Sequence, residues 1–101
     1  MQLPLSPLES AVLQQLLHGD VGRPSAEEVQ VVSRQATPCG RFVQLRGPSL
    51  RSGGSVHVEM EGIPNGLTVD LRVDDPGSGI LEIVVNGGDS WNGYEHRFRV
   101  L

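Results

Sequence analysis

VHVEMEGIPNGLTVDLRVDDPGSGILEIVV, residues 56–85, decides the fold. In VHVEME, Val56, Val58 and Met60 fall on one side of an extended chain, and His57, Glu59 and Glu61 on the other. Successive strand side chains point to opposite faces, so this segment buries one face and wets the other. GIPNG then turns the chain. LTVDLRV repeats the alternation, with Leu67, Val69, Leu71 and Val73 inward and Asp70 and Arg72 outward. DDPGSG turns it back. ILEIVV is a third strand, with Leu81, Ile83 and Val85 inward and Glu82 outward. Strands that are half apolar and half polar, joined by short turns, form an antiparallel meander.

The apolar face of that meander needs a cover, and the N-terminal segment supplies one. SPLE at Ser6–Glu9 is a helix start: Ser6 is the cap, Pro7 suits the first helical position, and Glu9 completes a capping box. The helix is expected to run to His18 and stop at Gly19. Leu8, Val12, Leu13, Leu16 and Leu17 form its apolar stripe, while Ser10, Gln14 and His18 recur on the other side. A helix this short is marginal alone, so the stripe is expected to pack on the sheet. SAEE at Ser25–Glu28 repeats the capping pattern, but Val29, Val31 and Val32 then favour a strand to about Ala36. TPCG reads as a turn, residues 41–46 as another strand, residues 47–54 as a polar loop, and HRFRVL at the end as a last short strand. The expected architecture is one α+β domain over residues 1–101: an N-terminal helix packed on an antiparallel β-meander of about five to six strands, in two layers.

Composition narrows the chemistry. The chain has 101 residues, eight basic residues, all Arg, and no Lys. That excludes Schiff-base lysine chemistry, a phosphate-loop lysine and a Ser-Lys pair. A net charge of -4 argues against nucleic acid. No apolar run approaches the ~20 residues that span a bilayer, so no membrane role is expected. MQLPLSPLES lacks the basic start and apolar run of a signal peptide, and Cys39 is the lone cysteine, so the expected location is cytoplasmic. The charge is unevenly spread: residues 29–58 hold Arg34, Arg41, Arg46 and Arg51 and no acid. A basic face turned to an anionic partner is one reading. We favour the simpler one, in which basic strands lie beside acidic strands and offset them.

LPLSPLESAVLQQLLHGD, EMEGIPNGLTVDLRVDD and GILEIVVNGGDSW together resemble a small bacterial family of uncharacterised α+β proteins. The likeness lies in the SPLE helix ending in Gly-Asp, and in the Leu81-Glu82 strand followed by Gly88-Asp89 and Trp91. It covers roughly residues 3–20 and 62–91. The middle departs, where the family has a longer second helix. The resemblance implies the α+β fold and carries no activity.

Three constellations are candidate sites. The first is the polar sheet face: His57, Glu59, Glu61, Asp70 and Glu82 are a chemically reasonable oxygen-rich metal set, or a carboxylate group able to raise one pKa. An ordinary solvated face, with Arg72 paired to Glu82 or Glu59, explains the same residues and is preferred. The second is Cys39 with His18, His57 or His96 as a nucleophile pair; a lone cysteine in a turn is more often inert. The third is NGGDSWNGYEH, residues 86–96, which carries the only Trp and the only Tyr. Trp91 and Tyr94, with Asp89 and His96, would make a presented binding loop. A Trp91 folded back onto the sheet's rim is the reading we favour, because a single exposed ring makes a poor patch. SGGS and PGSG do not join a strand to a helix, so no phosphate cradle is expected.

The function expected from these residues is a non-enzymatic protein–protein interaction module, one form being an immunity-like protein that neutralises a basic toxin. The alternative is a metal- or carboxylate-dependent enzyme on the polar face. The expected partner is another protein or a second copy, and no cofactor is expected.

Overall fold

Ser6 and Glu9 close the capping box in both directions. The Ser6 amide donates to Glu9 Oε1 (2.9 Å), and the Glu9 amide donates to Ser6 Oγ (3.2 Å). Helix α1 (Pro7–Leu17) follows, with Leu8, Val12 and Leu13 fully buried. The computed structural model describes residues 4–17, 29–47, 50, 53–88, 90–91, 95 and 97–101. The Gly19 stop and the second capping pattern at Ser25 lie outside the described residues.

Among the described residues six antiparallel strands form one sheet: β1 (Gln30–Thr37), β2 (Gly40–Arg46), β3 (Gly54–Met60), β4 (Ile63–Asp75), β5 (Ser78–Val85) and β6 (Phe98–Val100). The domain is therefore α+β, with α1 lying against β3 and β6. The order is β1-β2-β5-β4-β3-β6. The meander of residues 56–85 sits in the middle. The β1–β2 hairpin docks on β5, and β6 docks on β3. The two turns of the meander are tighter than the sequence reads. β4 begins at Ile63, so Pro64, Asn65 and Gly66 stay in the strand and are absorbed by a register shift opposite Glu59. Gly62 turns the chain at φ 87° and Gly77 does the same between β4 and β5. Both angles lie in the left-handed region that suits a residue without a Cβ.

The inner face alternates as residues 56–85 require. Val43, Leu81 and Leu71 lie in one cross-strand row, and Ile83, Val69 and Val56 in the next. All but the half-buried Val56 are buried. Gly40 is pressed against this sheet: a Cβ there would lie 1.8 Å from the Ile83 carbonyl oxygen. Relief requires β2 and β5 to separate. Gly40→Ala is expected to lose about 1–3 kcal/mol, the range for overpacking, while Gln44→Ala, exposed on the same strand, loses almost nothing. Thermal melting by circular dichroism checks this; equal melting of the two variants would contradict the close approach.

Candidate functional site

Strict alternation from the buried Val31 would turn Arg34 outward. A β-bulge prevents that. Val31 pairs with Leu45, but Ser33 pairs with Gln44, so Val32 is an extra residue on β1. The inserted residue inverts the facing of everything after it. Arg34 thus lies opposite the buried Val43, on the helix side. Arg41, opposite the buried Ile83, faces the same way.

Both arginines meet Glu9, which is fully buried. Arg34 approaches as a fork: Nε donates to Glu9 Oε2 (2.8 Å) and Nη2 to Glu9 Oε1 (2.6 Å). Arg41 Nη2 lies 3.2 Å from Glu9 Oε2. It also donates to Glu95 Oε2 (2.6 Å), whose Oε1 accepts the Leu8 amide at the start of α1 (2.8 Å). A carboxylate at a helix N-terminus is favoured by the exposed amides and the helix dipole. Burial raises the Glu9 pKa, but the Arg34 fork, the Ser6 amide and the charges of Arg41 and Arg34 outweigh it. The net result lies below the usual 4.5. The Arg34 pKa is raised in turn, chiefly by its bond to Glu9. A carboxylate engaged by this many donors is a weak base, so the cluster fastens sheet to helix rather than moving protons. Arg41 Nε is buried and finds no acceptor among the described residues, a residual cost of this arrangement.

The NGGDSWNGYEH loop is anchored to the same cluster. Trp91 is half-buried and packs against the core. The Arg41 guanidinium lies over its ring at 5.1 Å from the centroid, a cation–π contact. The Trp91 amide donates to the Pro38 carbonyl (3.2 Å). Trp91 and Glu95 therefore tie the loop to the β1–β2 turn and the helix start. Asp89, Tyr94 and His96 lie outside the described residues. A protected Trp91 with blue-shifted emission and weak acrylamide quenching is the expected result. Quenching as rapid as that of free tryptophan would contradict the packed ring.

The polar face does not assemble its five candidates. Asp70 and Glu82 lie directly opposite each other on β4 and β5. His57 is opposite Thr68, one row away, and Glu61 is in the turn after β3. Glu59 is paired with Arg99 across the β3–β6 ladder (2.6 Å), not with Arg72. Among the described residues no three His, Cys, Asp or Glu side chains lie close enough to hold a metal ion. The rows are the reason: alternate positions spread His57 and Glu59 along β3 and put Glu61 in the turn beyond it, and only one acid falls opposite another. The expected charge offset also takes a different form. Arg34 and Arg41 neutralise Glu9 and Glu95 on the helix side, not acids on neighbouring strands. Cys39 sits in the β1–β2 turn, where its carbonyl accepts the Val85 amide (2.7 Å); His18 and His96 lie outside the described residues.

Among the described residues nothing pairs with the outer side of β1 or of β6. Neither the bulge nor the Glu9–Arg34–Arg41–Glu95 cluster was legible in the sequence, except for the capping role of Glu9. No described helix is long and apolar enough to cross a membrane. No known protein-family model, curated protein or solved structure matches the chain.

Proposed function

We propose that the protein is a non-enzymatic interaction module that binds a protein partner by strand addition at β1. The observation that carries this reading is the character of that edge. β1 is eight residues long, QVVSRQAT, with no Pro, Lys or acid. Its single charge, Arg34, is spent on Glu9. Natural edge strands are usually short, charged or proline-bearing, because unpaired backbone groups template pairing with another chain. Here the bulge at Val32 bends only one end, and Ser33 to Thr37 keep a continuous register with β2. Val32 adds an exposed apolar side chain beside the edge. A partner strand gains backbone hydrogen bonds along this segment.

The test is affinity capture with two baits, the wild-type protein and a Ser33→Lys/Gln35→Lys variant. Both residues are exposed, so the variant folds with nearly unchanged stability. A partner held by the first bait and lost from the second supports strand addition at β1. Identical capture by both, or a wild-type bait that retains nothing, overturns it.

A further inference from the structure

Beyond β1, the opposite end of the sheet carries a different site. We infer that the groove between α1 and β6 receives an extended protein segment that alternates apolar and acidic side chains, added as a strand on the free edge of β6.

The groove holds about 430 Å³ and is lined by Ala11, Gln14, Gln15, Phe98 and Val100 among the described residues. Phe98 and Val100 lie opposite Met60 and Val58, so they face the helix side, yet both stay partly exposed. The reason is geometric: α1 lies over them, and among the described residues no further strand pairs with β6 on its outer side. The backbone is held ready. The Glu61 amide donates to the Arg97 carbonyl (2.8 Å) and the Leu101 amide to the His57 carbonyl (2.9 Å), so residues 97–101 run straight along β3. An edge strand beside a helix, with room between them, admits an extended peptide whose alternate side chains fill the groove.

The neighbour on the paired side shows what chemistry suits β6. β3 offers Val58 and Met60 to Val100 and Phe98, and Glu59 to Arg99. On its outward side β6 carries Arg99, and Arg97 precedes it, both exposed. A strand added on the free edge meets the same sequence of demands: apolar opposite Phe98 and Val100, acidic opposite the arginines. Opposite charges directly across a ladder stabilise and like charges destabilise. That excludes a second copy as the preferred occupant. Pairing β6 with β6 while keeping Phe98 and Val100 inward sets Arg99 against Arg99, Arg97 or Leu101. β1 of another copy has no acid to offer.

The test uses a probe whose pattern is known to suit β6: the blocked peptide VHVEM, the sequence of Val56–Met60, against the same peptide with Glu59→Arg. Binding is followed by ¹⁵N amide shifts of the intact protein and by calorimetry. The expected result is saturable shifts confined to Arg97–Leu101 and Ala11–Gln15, with the arginine peptide bound about tenfold more weakly. An Arg99→Glu protein, altered at an exposed site, is expected to reverse that preference. The inference is overturned by equal binding of the two peptides, by shifts that map to β1, by no saturable shift at millimolar peptide, or by concentration-dependent shifts at β6 without peptide, which would mean a second copy. Failure here leaves the β1 reading standing, because the two edges are read by different residues.

Discussion

Glu9→Gln is expected to destabilise the protein by about 3–5 kcal/mol, the range for breaking a buried ion pair from one side. The loss is large because of what remains. Arg41, with a side chain only 13% exposed, stays under the helix with one of its two carboxylate partners gone. Arg34, at 28% exposure, rehydrates in part and softens the cost. The Ser6 amide also exchanges a charged acceptor for a neutral one. Urea unfolding at neutral pH measures this, as a lower midpoint with an unchanged slope. Glu59→Gln is the comparison. Its partner Arg99 is 74% exposed and Glu59 54%, so that pair is worth at most about 1 kcal/mol. Similar losses for the two variants would sink the account of the cluster.

The same residue sets a pH dependence. The folded Glu9 pKa is depressed below the unfolded value near 4.5, because the arginines and the Ser6 amide hold the ionised form. Between the two values the unfolded chain binds the extra proton. The Glu9 contribution is therefore fully present above about pH 4.5 and is lost as pH falls through the folded pKa. The stability gap between wild type and Glu9→Gln should narrow on acidification over that window. A gap that stays constant from neutral pH to pH 3 would contradict the assigned partners.

The second large effect is expected at Leu81. It lies on β5 near the centre of the sheet, between Val43 and Leu71, and is fully buried. Leu81→Ala leaves a cavity bounded by two ladders that hold their register, so the site collapses little. A loss of about 2–5 kcal/mol follows, or about 4–8 °C of melting temperature per kcal/mol for a domain of this size. Three residues along the same strand, Val84 points to the open face and is 36% exposed. Val84→Ala should cost well under 1 kcal/mol. If the two variants melted alike, the facing of β5 would be wrong, since a one-residue slip exchanges the two sides.

Much of the fold was legible. The capping box at Ser6 and Glu9, the apolar stripe of α1 and the inward sets on β3, β4 and β5 are local patterns, each set by residues within a few positions of one another. The composition of GIPNG and DDPGSG marks where the turns fall but not how short they are. In the structure only Glu61-Gly62 and Pro76-Gly77 leave the strands. Of the candidate sites, the lone Trp in a small core points to a folded-back ring, but not to its stacking on Arg41 or the grip of Glu95 on the helix start. Alternation alone defines the polar-face set, and alternation says which side a residue faces and nothing about which residue lies opposite.

By itself, then, the sequence determined that a helix covers one face of an antiparallel sheet, and which side chains of residues 56–85 enter the core. Those facts follow from the periods of helix and strand and from the removal of apolar surface from water. Strand order, pairing rows and which strands end the sheet belong to the tertiary structure. So does the burial of Glu9, a residue that looks like an ordinary cap until two arginines arrive from strands twenty-five and thirty-two positions away. The physical reason is that facing along a strand is cumulative. One extra residue at Val32 inverts it, and whether that residue bulges depends on the partner strand, which no local pattern names.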